Sequence, residues 1–225
     1  MDKRDELNHP AKFNNKFIPI FAEKLKGYKN VLDPFAGTGK IGEIKNFGYS
    51  GLIYCNEIEH EWCDELNTNV DVWTSVDSEF LEMYENDFFE SICTSPTYGN
   101  RMADNFKIPD KNSGRKYVTY MHYLGRKLTD GNTGSLQWGD KYKTKHKNIY
   151  EELYRVLKKD GLLIINIANH IRKGEEIDVS KWTKNILLEI GFSLQEEIKI
   201  ETQKMRYGSN NKLRVPYEFI FIFKK

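Results

Sequence analysis

The residues best suited to chemistry fall in two short runs. The first is Val31-Leu32-Asp33-Pro34-Phe35-Ala36-Gly37-Thr38-Gly39, an apolar stretch running into a glycine loop ahead of a helical segment. Glycines there let the backbone pass close to a ligand. Glu57 lies eighteen residues beyond Gly39, at the end of the next apolar run, where a carboxylate can accept protons from both hydroxyls of a ribose. Read literally, the six residues from Gly37 to Gly42 satisfy GxGxxG, the dinucleotide fingerprint. A phosphate-binding P-loop fits worse, because Ile41 occupies the Ser/Thr position after Lys40 and Pro34 the earlier glycine. The second run, Thr94-Ser95-Pro96-Thr97-Tyr98, closes a later apolar stretch with a hydroxyl, a proline carbonyl and an aromatic ring.

These runs need strands to aim them. Apolar segments at 30–33, 51–56, 70–75 and 88–94 read as strands, with 40–46, 59–67 and 78–83 as short helices between them. Phe17, Ile20, Phe21 and Leu25 share a helical face after Pro10. Asn148, with Glu151 three residues on, reads as a capping box opening a helix with an Ile149, Leu153, Val156 and Leu157 stripe, ended by Gly161. The run LLIINIA that follows suits a strand covered on both faces. A helix over 180–190 carries Trp182, Ile186, Leu187 and Ile190, and strands at 192–201 and 217–223 form an antiparallel closing pair. The alternation predicts an α/β fold: a Rossmann-like, seven-stranded, mostly parallel sheet with an antiparallel C-terminal strand and helices on both faces.

With both runs at strand ends, the sequence resembles the amino-methylating DNA methyltransferases, which use S-adenosylmethionine to methylate cytosine N4 or adenine N6. His9-Pro10-Ala11-Lys12-Phe13 is similar to that family's N-terminal cofactor motif, DPFAGTG to its glycine loop, and Ser95-Pro96-Thr97-Tyr98 to its catalytic tetrapeptide. The resemblance covers nearly the whole chain and implies the class I methyltransferase fold, with the cofactor motifs first and target recognition after catalysis. It implies that Lys12, Asp33, Phe35, Ala36, Gly37, Thr38 and Gly39 face the methionine part of S-adenosylmethionine, Glu57 the ribose, and Ile58 one side of adenine, with Asp77 near the adenine amino group. Glu59 is the alternative ribose ligand, a helix cap the alternative role for Asp77, and a helix-surface lysine the alternative reading of Lys12. Thr97 departs from the family, standing where a second proline is usual, and proline would stiffen the backbone whose carbonyl must be aimed. A catalytically silent DNA-binding homologue is therefore one alternative, and action on RNA or a protein glutamine another. Ser95, where adenine-specific members more often carry Asp or Asn, tilts the target towards cytosine N4.

The residue types suit that chemistry independently. An exocyclic base amine is a poor nucleophile, because its lone pair is delocalised into the ring, so acceptors must hold its protons. Ser95 and the Pro96 carbonyl are the natural acceptors, and Tyr98 offers a stacking face for a base that has left the duplex. A nicotinamide oxidoreductase would share the glycine loop but leave Ser95-Pro96-Thr97-Tyr98 unexplained.

Charge narrows the partners. The 225 residues carry 34 Lys and Arg against 33 Asp and Glu, yet 55–90 holds twelve Asp or Glu and no Lys or Arg, whereas 99–147 holds eleven Lys or Arg and four Asp. This basic, glycine-rich stretch reads as an inserted target-recognition segment in a single domain over 1–225. Arg101, Arg115, Lys116, Arg126 and Lys127 are its candidate phosphate ligands, with Tyr117, Tyr120, Tyr123 and Trp138 interleaved. Lys204, Arg206, Lys212 and Arg214 in the last loop are further candidates. Asn166, Asn169 and His170 follow the fifth strand on the site's side of the sheet, where any could read a base edge or serve as a core or capping residue. Double-stranded DNA is thus the expected partner, and the small recognition insert is compatible with a homodimer; restriction-modification and solitary methylation are both open settings. No apolar run is long enough to span a membrane and the charged start lacks a secretory signal's apolar core, so a cytoplasmic location is expected. Three cysteines without a CxxC pair indicate buried thiols, with neither disulfides nor a metal.

Overall fold

The computed structural model describes residues 13–63, 67–99, 124–202 and 213–225. Helix α1 (Ile18–Lys24) precedes β1 (Asn30–Asp33), a 3-10 helix (Lys40–Phe47), β2 (Leu52–Asn56), a short 3-10 turn (His60–Trp62), β3 (Val72–Thr74) and β4 (Phe89–Thr94). Beyond a 3-10 turn (Thr133–Ser135) come α2 (Asp140–Val156), β5 (Leu157–Ile167), a small hairpin of β6 (His170–Arg172) and β7 (Glu175–Ile177), α3 (Val179–Ile190), β8 (Ser193–Glu201) and β9 (Tyr217–Lys224). The main sheet runs β3-β2-β1-β4-β5-β9-β8, with β1 to β5 parallel and β9 antiparallel to both β5 and β8. The expected seven-stranded sheet and its antiparallel end are therefore present.

Strand order reverses between β1 and β4, leaving a crevice at their carboxyl ends where parallel sheets bind ligands. Side-chain alternation divides the core in two. Leu32, Ile92, Leu163 and Ile165 face α2 and α3, while Val31, Cys93, Leu162 and Ile164 face α1 and the first 3-10 helix. Cys55 and Cys93 are buried free thiols and Cys63 is half-buried. Among the described residues no helix is long and apolar enough to cross a membrane, and no acidic, His and Cys cluster is arranged to hold a metal.

Three local expectations are corrected. The second long helix begins at Asp140, eight residues before the anticipated cap, because Tyr142 and His146 extend its buried stripe through Ile149, Tyr150, Leu153 and Val156. Asn148 is an interior position whose amide donates to Glu79. Gly161 does not stop that helix but lies inside β5: pairing advances from Phe89 to Ser91 on one strand and from Leu157 to Leu162 on the other. A side chain at Gly161 would strike the Lys158 carbonyl at 2.7 Å, so the bulge requires glycine. Residues 78–83 form turns and no helix, held by Ser78 Oγ donating to the Pro34 carbonyl and by the Leu81 amide donating to Glu152.

Candidate active site

The glycine loop leaves β1 at Asp33 and folds back through the Ala36 amide, which donates to the Asn56 carbonyl at the end of β2. Gly37 and Gly39 take positive φ, 54° and 72°. A Cβ on Gly39 would lie 2.8 Å from the Trp73 ring and 3.0 Å from the Asn67 amide, so this glycine answers both a backbone and a packing demand. Asn67 Nδ2 donates to the Gly39 carbonyl at 3.1 Å and fastens the loop's far side.

Asp33 is fully buried. Its Oδ1 accepts from Thr94 Oγ1 at 2.7 Å and from the Phe35 amide at 3.1 Å, while Oδ2 is buried with no partner among the described residues. Burial raises its pKa to about 7, partly opposed by those two bonds. Glu57, the first residue past β2, receives the Gly37 amide on one oxygen at 2.8 Å and the Glu59 amide on the other at 3.0 Å, and burial lifts it too to about 7. A carboxylate oxygen without a proton donor beside a glycine loop fits a ligand carrying an ammonium group, and an acid at the end of β2 fits ribose hydroxyls. The residues thus suit S-adenosylmethionine: Asp33 for the methionine ammonium, the loop for its backbone and Glu57 for the sugar. Ile58, expected beside adenine, is half-buried, and Lys12 lies outside the described residues.

Glu59 is otherwise engaged. It is completely buried, accepting from Arg126 (2.7 Å), the Thr129 amide (2.8 Å), Thr129 Oγ1 (2.9 Å) and Asn132 Nδ2 (2.7 Å). Arg126 completes the clasp on Glu61 at 2.6 Å, which raises the guanidinium pKa. Asp77 accepts from Lys145 at 2.5 Å and, through Oδ1, from the Glu79 amide, a turn cap rather than a free carboxylate. Burial opposes the charge on Lys145, but its bonds to Asp77 and Glu79 outweigh that and leave its pKa raised. Gly131 abuts both Asp77 and Ile58, so the turn held by Glu59 closes over those two residues. Arg126 and Lys145, from the basic segment, thereby answer part of the acidic run inside the molecule.

The tetrapeptide Ser95 to Tyr98 leaves β4 directly after Thr94, so the Asp33–Thr94 bond puts both motifs at one mouth. Ser95 Oγ lies 2.7 Å from Tyr98 Oη, which reaches Asn166 Oδ1 at 3.2 Å. Asn166 Nδ2 in turn donates to the Phe219 carbonyl at 3.1 Å and to Glu218 at 3.2 Å. Thr97 is held from three sides: its carbonyl accepts from Tyr142 Oη at 2.5 Å, its hydroxyl donates to Thr133 Oγ1 at 3.0 Å, and His146 Nε2 is 3.5 Å away. His146 also stacks on Phe35 of the glycine loop, 6.1 Å between centroids, and burial lowers its pKa to about 4, so it is neutral. Tyr142, His146, Thr133 and Glu218 were not singled out in the sequence. The stripe through Tyr142 and His146 was the available signal, masked by the lysines around it.

Other expected ligands are placed less centrally. Asn169 is occupied by Glu176, Asp178 and the Ser180 amide. His170 is half-buried in β6 with its pKa lowered to about 4 by burial and Arg172. Lys127 and Arg214 are exposed, and Trp138 packs against Tyr142 and Trp182. Arg101, Arg115, Lys116, Tyr117, Tyr120, Tyr123, Lys204, Arg206 and Lys212 lie outside the described residues.

Comparison with known proteins identifies the family and the fold. A profile of the N6/N4 DNA methylase family matches residues 89–225, from the start of β4 to the end of the chain. The chain belongs to the DNA methylase family. S-adenosylmethionine is the methyl donor that DNA methylases use. A curated relative, the orphan methyltransferase M.BamHII of Bacillus amyloliquefaciens, is 29% identical over 75 residues, 33% of this chain and 28% of the relative. The chain thus aligns with less than a third of that relative's length. Among solved structures, an S-adenosylmethionine-dependent methyltransferase of Methanosarcina mazei superposes with a TM-score of 0.56 at 14% identity, covering 92% of this chain and 97% of the other. A precorrin-6y C5,15-methyltransferase of Geobacter metallireducens gives 0.54 at 13%, covering 98% and 94%. At such identities these two establish the Rossmann-like methyltransferase fold alone.

Proposed function

We propose that this DNA methylase transfers a methyl group from S-adenosylmethionine to the exocyclic amine of a nucleobase in double-stranded DNA, cytosine N4 ahead of adenine N6. The observation that carries the reading is the Thr94–Asp33 hydrogen bond, which joins the cofactor loop and the Ser95–Tyr98 turn at one mouth. When bound, S-adenosylmethionine supplies a methyl carbon on a positively charged sulfonium. The chain's own residues place the amine. Ser95 Oγ and the Pro96 carbonyl accept hydrogen bonds from its two N–H groups, directing the nitrogen lone pair out of the ring, and Tyr98 stacks on the flipped base. Asp33 orients the methionine ammonium and Glu57 the ribose. The nitrogen's extra proton leaves to water after transfer.

The basic segment 99–147 supplies the proposed DNA contacts. Because residues from Asp140 onward belong to α2, the recognition role falls chiefly on the part before it, with Arg101, Arg115, Lys116 and Lys127, helped by Lys204, Arg206 and Arg214. Arg126 instead braces the turn that closes over Asp77 and Ile58. Incubation with S-adenosylmethionine and mixed-sequence DNA, followed by mass spectrometry of the nucleosides, tests the reading. N4-methylcytosine or N6-methyladenine is expected, with Ser95→Ala abolishing the product while cofactor affinity is retained. Methylation of RNA or of a glutamine peptide with none on DNA would move the substrate class, and no transfer to any would make the chain a silent homologue.

A further inference from the structure

We infer that Asn166 sets Ser95 as an obligate hydrogen-bond acceptor, so that this site accepts a base presenting an amine and rejects one presenting a carbonyl. The inference rests on the methyl-transfer reading of the site, but its first test does not. Asn166 lies near the end of β5, 2 % exposed, between the Ser95–Tyr98 turn and β9. One side of its amide faces the Phe219 carbonyl at 3.1 Å and a Glu218 oxygen at 3.2 Å. A carbonyl can only accept, so the nitrogen must be on that side and both of its protons are spent there. Oδ1 therefore faces Tyr98.

The consequence runs outward one atom at a time. Oδ1 cannot donate, so across 3.2 Å the Tyr98 hydroxyl gives its single proton to Asn166. Tyr98 Oη is then an acceptor at 2.7 Å from Ser95 Oγ, and Ser95 gives its own single proton to Tyr98. What Ser95 has left for a ligand is lone pairs alone. An incoming N–H finds an acceptor there; a keto oxygen meets a second oxygen with no proton between them, a mismatch that discriminates once the bound base shuts water out of this half-buried turn. Cytosine and adenine present the amine, whereas uracil, thymine and hypoxanthine present oxygen at the corresponding atom. Asn166 is thus a positioning and specificity-determining residue that acts through Tyr98, and the β9 backbone is the fixed end of the chain.

Neutron diffraction from deuterated crystals of the full chain tests the polarity whether or not any base is methylated. The deuteron on Ser95 is expected to point at Tyr98 and that on Tyr98 at Asn166; a Tyr98 deuteron aimed at Ser95, or a flipped Asn166 amide, overturns the inference. The second test is kinetic, on the DNA found to be methylated. Asn166→Leu and Tyr98→Phe should each lower turnover about tenfold with cofactor affinity unchanged, and the double variant should be no slower than the slower single variant. Independent, multiplying losses would refute a single chain of polarity. Binding of oligonucleotides with the keto analogue at the target should be at least tenfold weaker than the amine form in the unaltered protein, and Asn166→Leu should narrow that gap. Failure of all methyl transfer with the deuterons as expected would sink the functional reading and leave the polarity standing.

Discussion

If Asp33 holds the methionine ammonium as proposed, cofactor binding should depend on pH in one direction. The Asp33 pKa is raised by burial from an ordinary 3.8 to about 7, and its Oδ2 has no hydrogen-bond partner among the described residues. To pair with the methionine ammonium the carboxyl must be ionised, so below pH 7 binding must first expel a proton. Each pH unit below that point should weaken S-adenosylmethionine by about tenfold through Asp33, and the affinity should level off above it. Glu57, also raised to about 7, adds to the slope, because ribose hydroxyls donate to its ionised form. Free α-amines have a pKa of about 7.7 to 8.0, so the ligand stays mainly cationic between about pH 5.5 and 7. Thermal stability would be an ambiguous reporter. Acids with raised pKa values add stability as pH falls from about 7 towards 4. His146 and His170, held near 4 against an ordinary 6.5, remove it as pH falls below 6.5. Binding compares two folded states and largely avoids that conflict. Titration calorimetry at pH 5.5, 6.5 and 7.5, in buffers of different ionisation enthalpy, should count about one proton released through Asp33 at the acid end. Asp33→Asn should bind weakly and lose that part of the pH dependence. A flat affinity between pH 5.5 and 7.5 would refute both the ionisation argument and the placement of the ammonium.

Gly39→Ala should weaken S-adenosylmethionine more than tenfold and cost the fold about 1–2 kcal/mol, since the new Cβ meets Trp73 at 2.8 Å in a left-handed conformation; calorimetry and denaturant unfolding check the two effects. Glu59→Gln puts an amide donor where Arg126, Thr129 and Asn132 already donate. It should lower stability by about 2–4 kcal/mol and expose 126–132 to limited proteolysis, and an unchanged cleavage pattern would contradict the clasp. Tyr142→Phe removes the donor to the Thr97 carbonyl and should slow single-turnover methylation about threefold to tenfold without changing cofactor affinity; a loss confined to cofactor binding would show that the bond does not aim the turn.

That last bond bears on the one departure from the family pattern. A proline at 97 would restrict the backbone by its ring, whereas Thr97 is restrained through Tyr142 and Thr133. The restraint comes from residues 36 and 45 positions away, so the tetrapeptide by itself suggests a looser turn than the folded chain has.

What the sequence determined by itself was local and periodic. Runs such as Val31-Leu32 and Leu162 to Ile165 specify buried strands, since an apolar stretch without polar alternation needs cover on both faces. Gly37, Gly39 and Glu57 announce a ligand loop by type and spacing, and Ser95 to Tyr98 announces its neighbour's chemistry. Charge was misleading for the same local reason. Lysines around Tyr142 and His146 made the first turns of α2 look like part of an insertion, although those two side chains lie in the core. Only the tertiary structure decided which charges are spent: Arg126 on Glu59 and Glu61, Lys145 on Asp77 and Glu79. Likewise, only the pairing of β5 with β9 brings the Phe219 carbonyl to Asn166, and through it fixes the proton on Ser95. Periodicity is set by neighbours along the chain, whereas hydrogen-bond direction is set by whichever distant group cannot change its role.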